Sequence, residues 1–438
     1  MWFGCHGFLA GRGGGGAPPP SYYVDTATPW ESFPALDQDE QADVCIIGAG
    51  YTGLSAALHL ARQGRDVLVL DAHRVGWGAS GRNGGQVGSG QRLPQQVLER
   101  MVGEEDARRL WDMAEDAKAL VRELIKRHAI ACDDHPGILY ADHRPRHLKH
   151  TMATVRHLRD VYGYDQVHFV DGTEIRAMLG SPVYHGGMLD LGALHLHPLN
   201  FALGLARAAA EAGVRLRERT RVTRLEPGAP VRLTTTGGTV LAREVVLACN
   251  GYLGRLHPGV AARVMPINSY MVATEPLGAE RARALIRDNV AVADSRFVVN
   301  YFRLSADHRL LFGGGERYGY AFPQDIKAFV RPILEGIFPS LAGVGLDYGW
   351  GGTLGITRSR LPHVGRVAPG VVSASGFSGH GVALATLSGA VVAEALTGST
   401  ARFDLLAGLP TPAFPGGTRL RRPLLALAMM WFALRDRL

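Results

Sequence analysis

Gly48, Gly50 and Gly53 stand in G-x-G-x-x-G spacing within "DVCIIGAGYTGLSAALHLARQGRDVLVLDA", residues 43–72. The residues before them are an apolar run suited to a buried strand, and those after them are suited to a helix. Gly48 permits a tight turn, and Gly50, between Ala49 and Tyr51, lets backbone N–H groups approach a pyrophosphate. Gly53, after Thr52, lets the helix pack close to the sheet. The helix, expected over 52–63, points its positive end at the phosphates. Asp71 follows the second strand, where an acid bonds a ribose hydroxyl. The same carboxylate would repel a 2′-phosphate, which argues against NADP.

A second glycine turn, "GFSGHGV", precedes a helix expected to begin near Val382. Gly379, His380, Gly381 and Val382 would aim that helix at another part of the cofactor, such as the negative edge of a reduced flavin. NAD has no such need, so two turns favour FAD. His380 is the candidate for stabilising that charge.

The intervening elements must bring these turns together. Helices are expected over 104–129 and from Pro198 to a cap at Gly213, with a strand at "GILYAD". Strands carrying aromatics run from Val264 to Gly315. Tyr270, Tyr301, Phe302 and Trp350 could box an alkylamine by cation–π attraction. The loop "HRVGWGASGRNGGQVGSGQ" is too long for a simple connection.

Composition narrows the class. A 46% hydrophobic content and 20% charge describe a soluble globular protein, expected in the cytoplasm. The net charge of +7 comes from scattered arginines; the lysines are only Lys118, Lys126, Lys149 and Lys327, and no basic block suggests nucleic acid. The four cysteines lack close spacing, and "HLH" at residues 195–197 is insufficient for a metal. The Gly- and Pro-rich N-terminus reads as a flexible tail rather than a signal peptide. Near the other end, residues 423–434 are apolar but fall short of the ~20 needed to span a bilayer. They suit a helix docked on the body, with a partner or membrane surface as the alternative.

"GASGRNGGQ", "LACNGYL", "GGTLGITRSRLPHVGR" and "GFSGHGVALATLSGAVVAEALTG", with the first glycine turn, resemble the D-amino-acid-oxidase-like superfamily of FAD enzymes. The resemblance is nearest to the gamma-glutamylputrescine oxidoreductase group. It implies an α/β fold in which a Rossmann-type FAD domain (41–131, 196–262 and 349–400) interleaves with an antiparallel-sheet substrate domain (132–195 and 263–348). Residues 1–40 would be a flexible tail and lead-in, and 401–438 a tail with the docking helix. The resemblance also implies that Ala72 and Arg74 lie beside the ribose. Ser80, Gly81, Asn83, Gly84, Gly85 and Gln86 would approach the ribityl chain and flavin. Val222 would face the adenine, and Cys249, Asn250 and Gly251 would close over the phosphates.

Three departures from that family refine the chemistry. No cysteine lies in the strand matching "GGTLGIT", so FAD should be non-covalent. Leu354 stands where deaminating relatives place the arginine that clamps an α-carboxylate. That favours a primary amine such as gamma-glutamylputrescine, oxidised to an aldehyde and ammonia. No lysine lies on the strand matching "HRLLFGGG", which leaves oxygen or a quinone as acceptor, with a protonated His380 among the remaining positive charges. The rivals are an oxidase or dehydrogenase of an N-methyl or cyclic amino acid, and a protein whose FAD is structural and which docks a partner or membrane.

Overall fold

The structure is a computed structural model that describes residues 19–316 and 321–418. The expected N-terminal tail as far as residue 18 and the apolar segment 423–434 lie outside the described residues. Two large sheets organise the rest.

The first sheet orders its strands His363–Ala368, Val371–Ser375, Thr239–Leu247, Glu40–Ile47, Val67–Leu70 and Arg215–Arg217, with two more strands off Thr239–Leu247. The central pairs are parallel: Ile47 registers with both Leu247 and Leu70. Val44, Cys45, Ile46 and Leu68 are wholly buried, which is why these strands read as continuous apolar runs. The helices Tyr51–Arg62, Pro198–Glu211 and Gly381–Leu396 belong to the largest core cluster, packed on this sheet.

Gly389 sets how two of these helices meet. A Cβ there would stand 2.4 Å from the Thr52 carbonyl oxygen and 2.7 Å from the Ala56 nitrogen. The contact lies in the first turn of Tyr51–Arg62 but eight residues into Gly381–Leu396. At 1.5 Å per residue, the second helix begins about 12 Å further along its own axis. The two positive termini therefore lie at different distances from this contact.

The second sheet runs Leu346–Ile356, Met265–Thr274, Leu310–Glu316, Tyr301–Leu304, Ala291–Asp294, His135–Ala141, Gly187–His195 and Gln86–Val87, with Val167–Val170 beside Gly187–His195. It is antiparallel apart from the parallel pair Ala291–Asp294 and His135–Ala141. Strands from both ends of the chain enter it. The boundary expected at 349 falls inside Leu346–Ile356, which pairs along Met265–Thr274 in this sheet. Gln86–Val87, from the expected FAD segment, pairs with its far edge. These crossings tie the segment before Gln86 to the second sheet.

The lead-in is built into the body rather than loose. Ser21 caps the helix Tyr22–Asp25, and Tyr23 is wholly buried against Trp350 and His197. Two adjacent aromatic side chains supply enough apolar area to fix a four-residue helix that propensity alone would not hold. Among the described residues no single helix is long and apolar enough to cross a membrane.

Candidate active site

A cavity of about 710 Å³ lies between the two sheets. One end is lined by Asp71, Ala72, Arg221 and Val222, and the other by Tyr140, Tyr301, Leu354 and His380.

The first glycine turn forms the middle of its floor. Gly48 has φ +114°, and a Cβ would meet the Ala248 carbonyl oxygen at 2.7 Å. A Cβ on Gly53 would stand 1.9 Å from the Gly48 oxygen, so only glycine lets the helix start this close to the strand. A Cβ on Gly50 would meet Ser80 Oγ at 2.8 Å, and that oxygen accepts the Tyr51 N–H at 3.1 Å. The Tyr51 hydroxyl donates to the Ser80 and Pro198 carbonyls, so its ring braces the turn from behind. Asn83 Nδ2 donates to the Ala79 and Ser80 carbonyls while its Oδ1 accepts from the Gly85 N–H. One amide thus shapes the whole 79–85 loop.

At the far end Asp71 accepts the N–H groups of Ala49 and His73, both at 2.8 Å. Burial nevertheless pushes its pKa up to about 6. A carboxylate offers about four lone-pair sites, so acceptor capacity remains for a ligand hydroxyl. Cys249 lines this region with its thiol pushed up to about 12 by burial, hence protonated and unreactive.

At the other end Gly88 is pinched between two side chains. A Cβ would stand 2.7 Å from His380 Cε1 and 2.8 Å from the Tyr140 hydroxyl. His380 Nε2 donates to the Gly88 carbonyl at 3.2 Å. Burial and then the Arg92 charge hold its pKa near 4. Burial and the neighbouring arginine thus favour a neutral ring near pH 7, where a protonated His380 was expected, against the bond to Gly88, which favours the proton. Tyr301 reaches the cavity from its strand, its hydroxyl 3.0 Å from Ser269 Oγ.

Of the expected cofactor residues, Gly48–Thr52, Asp71, Ala72, Ser80, Asn83, Gly84, Gln86, Val222, Cys249, Asn250 and Gly379–Val382 line this one cavity. Gly53, Gly81, Gly85 and Gly251 stand behind the lining, where a Cβ would strike backbone oxygen at 1.9–2.9 Å. Arg74 turns away, toward Glu218 at 3.6 Å and over the Trp30 ring.

The expected aromatic box does not form. Tyr270 is wholly buried with its ring against Phe322 and Phe329, and Phe302 stacks on Phe312. Trp350 is 2% exposed and donates its indole N–H to the Arg82 carbonyl. Alternation turns Tyr270 and Phe302 to the face opposite Tyr301, whereas Trp350 shares the Tyr301 face but is covered by Tyr23.

Sequence reasoning passed over Arg82, Arg92 and Tyr140. Arg82 sits inside the quoted "GASGRNGGQ". It is 8% exposed and lies over the Trp77 ring, and its Nη2 has no partner among the described residues. Such an orphan donor in the lining of a long cavity fits an anionic ligand. Arg92 and Tyr140 lie on separate segments, and no local motif marks them. His195 and His197 are occupied elsewhere, with Asn289 and with Asn200 and Thr26, and among the described residues no three metal-ligating side chains converge.

The family model for FAD dependent oxidoreductases matches residues 43–395. The chain is 41% identical over 419 residues to the gamma-glutamylputrescine oxidoreductase of Escherichia coli, covering 95% of this chain and 98% of that one. It is 46% identical over 418 residues to a probable oxidoreductase, OrdL, of Rhizobium meliloti, covering 95% and 97%. The crystal structure of glycine oxidase from Geobacillus kaustophilus superposes with a TM-score of 0.72 at 23% identity, covering 85% of this chain and all of that one. That likeness concerns the fold, and it agrees with the two-sheet architecture. The chain belongs to the DAO family of FAD-dependent oxidoreductases.

Proposed function

We propose that this oxidoreductase deaminates a primary amine whose reacting carbon carries no carboxylate, of the gamma-glutamylputrescine type. The products are an aldehyde and ammonia. The observation that carries this reading is Leu354. It lines the cavity with its Cδ1 4.0 Å from a Cβ built on Gly379, beside the ring-end turn. An apolar side chain there cannot grip a carboxylate next to the reacting C–N bond. The E. coli relative supports the same substrate class.

In this reading the Gly48–Thr52 backbone and its helix hold the pyrophosphate. Asp71 takes a ribose hydroxyl and Val222 the adenine, while Ser80, Asn83, Gly84 and Gln86 flank the ribityl chain and ring. Gly379–Val382 meet the pyrimidine end. The chemistry supplied by bound FAD is the acceptance of a hydride from the amine's α-carbon. Tyr301 and Tyr140 orient the amine as neutral phenols; burial holds the Tyr140 pKa above the ordinary range. Arg92 and Arg360 line the same cavity while Arg296 is paired with Asp294, so a neutral amine enters in preference to an ammonium ion. Water then hydrolyses the imine.

Oxygen is the proposed acceptor. Leu310, Leu311 and Phe312 are buried core residues, so the charge that assists oxygen comes from the helix terminus at Gly381 and from Arg92. The rival reading, oxidation of an N-methyl or cyclic amino acid, is favoured by Arg92 alone, which could take an α-carboxylate. Incubation with gamma-glutamylputrescine in air should yield aldehyde, ammonia and hydrogen peroxide in equal amounts. Aldehyde formed only with an added quinone or dye would refute oxygen. Faster turnover of sarcosine or glycine would refute the amine assignment.

A further inference from the structure

Arg82 is a buried cation of the cavity wall, 8% exposed, and among the described residues it has no carboxylate partner. Burial lowers its pKa, and no acid offsets the effect. Its Nη1 donates to the Gly351 carbonyl at 3.1 Å, and the guanidinium lies 4.1 Å over the Trp77 ring. The Trp350 indole N–H on the Arg82 carbonyl holds the residue from the same strand. A guanidinium has five N–H donors. Nη2 is left without a partner. A buried charge that is unmatched is costly, which favours an anion beside it.

Its neighbours fix where along the cavity that anion would lie. Arg82 stands two residues after Ser80, whose Oγ accepts the Tyr51 N–H at the first glycine turn. The Trp77 ring stacks on His73 with centroids 3.8 Å apart. Burial, then the charges of Arg221 and Arg82, hold the His73 pKa down to about 4. His73 gives its backbone N–H to Asp71. At the ring end, by contrast, the cations that act on His380 are Arg92 and Lys118, not Arg82. Arg82 thus stands between the two ends, beside the glycine turn.

We infer that Arg82 is the side-chain cation that neutralises the pyrophosphate of bound FAD, alongside the backbone N–H groups of the first glycine turn. The start of Tyr51–Arg62 offers only about half a positive charge to a doubly ionised group. Arg82 adds a full one, in a fork that suits phosphate oxygens. Because Gly351 and Trp350 hold that fork, a strand of the second sheet places a charge for the cofactor's middle.

The test strips flavin from the FAD-loaded protein, checks that added FAD restores its spectrum, and titrates the apoprotein by calorimetry with ADP-ribose and with adenosine. ADP-ribose carries the same pyrophosphate diester without the flavin, and adenosine carries no phosphate. Arg82→Gln should weaken ADP-ribose about 10- to 100-fold and leave adenosine unchanged. FAD should weaken by a similar factor, while the reduction potential of the FAD-saturated variant stays at the wild-type value. Arg82→Lys, which keeps the charge without the fork, should fall between, and it carries the comparison if Arg82→Gln does not fold. Unchanged ADP-ribose affinity in either folded variant, or an equal loss of ADP-ribose and adenosine, would overturn the inference. Weaker FAD with ADP-ribose untouched would also overturn it, because Arg82 would then meet the flavin ring.

Discussion

The ring of Tyr301 fills the space that a side chain on Gly313 would need. A Cβ on Gly313 would stand 2.2 Å from the ring's Cε2 and Cζ, and one on Gly84 2.7 Å from its Cδ2. Tyr301 is thus seated between the "FGGG" strand and the loop that carries Gly84. Gly313→Ala should displace it. The expected cost is about 1–3 kcal/mol of stability, as for other overpacked sites, with slower flavin reduction by amine and FAD still bound. Unchanged reduction would mean that the position of Tyr301 is irrelevant to turnover.

Asp71 makes cofactor affinity depend on pH. Its pKa of about 6 in the folded chain lies above the ordinary 3.8 because it is buried. A hydroxyl donated by ligand favours the ionised form. FAD affinity should therefore hold above pH 6 and weaken as the pH falls below it. Asp71→Asn should flatten this profile and lose roughly 1.5–3 kcal/mol of binding near pH 7. Equal profiles for both proteins by fluorescence titration would place the ribose contact elsewhere.

Gly389 tests the stagger of the helix termini. Gly389→Val sets a branched side chain against the Thr52 and Ala56 backbone, atoms that cannot rotate away. We expect a lower Tm and weaker FAD retention together, since the start of Tyr51–Arg62 must move. A lower Tm with undiminished FAD affinity would show that the contact supports the core alone.

Much of the dinucleotide half was legible because its demands are local. Gly48 needs a positive φ, Gly53 needs close packing, and Asp71 ends a strand; each leaves a mark within thirty residues. The substrate half is assembled from distant segments. Arg92 and Tyr140 meet only after two sheets form. The facing of Tyr270 and Phe302 depends on strand register, and a one-residue change reverses it, while Trp350 is covered by Tyr23 from the far end of the chain. The role of His380 was legible only as a position. Its neutrality depends on burial and on Arg92, nearly three hundred residues earlier.

That neutrality can be tested. The folded pKa of His380 is near 4, against an ordinary 6.5. Protonation in the unfolded chain therefore costs the wild type stability as the pH falls from 6.5 toward 4, a slope that His380→Asn should lack. His380→Asn keeps a donor for the Gly88 carbonyl, so its flavin-reduction rate should stay within several-fold of wild type between pH 6.5 and 8. An inflection near 6.5 in the wild-type rate that Asn removes would restore the charged histidine.

The central claim is that the ring end of the cavity suits a primary amine without an α-carboxylate. Anaerobic stopped-flow mixing of the FAD-loaded protein with gamma-glutamylputrescine, and separately with glycine, alanine and sarcosine, tests it most directly. Flavin absorbance should bleach faster with gamma-glutamylputrescine, by at least about 10-fold in kcat/KM, the equivalent of ~1.4 kcal/mol in transition-state binding. Faster bleaching by any of the three amino acids would contradict the reading of Leu354 and the function built on it.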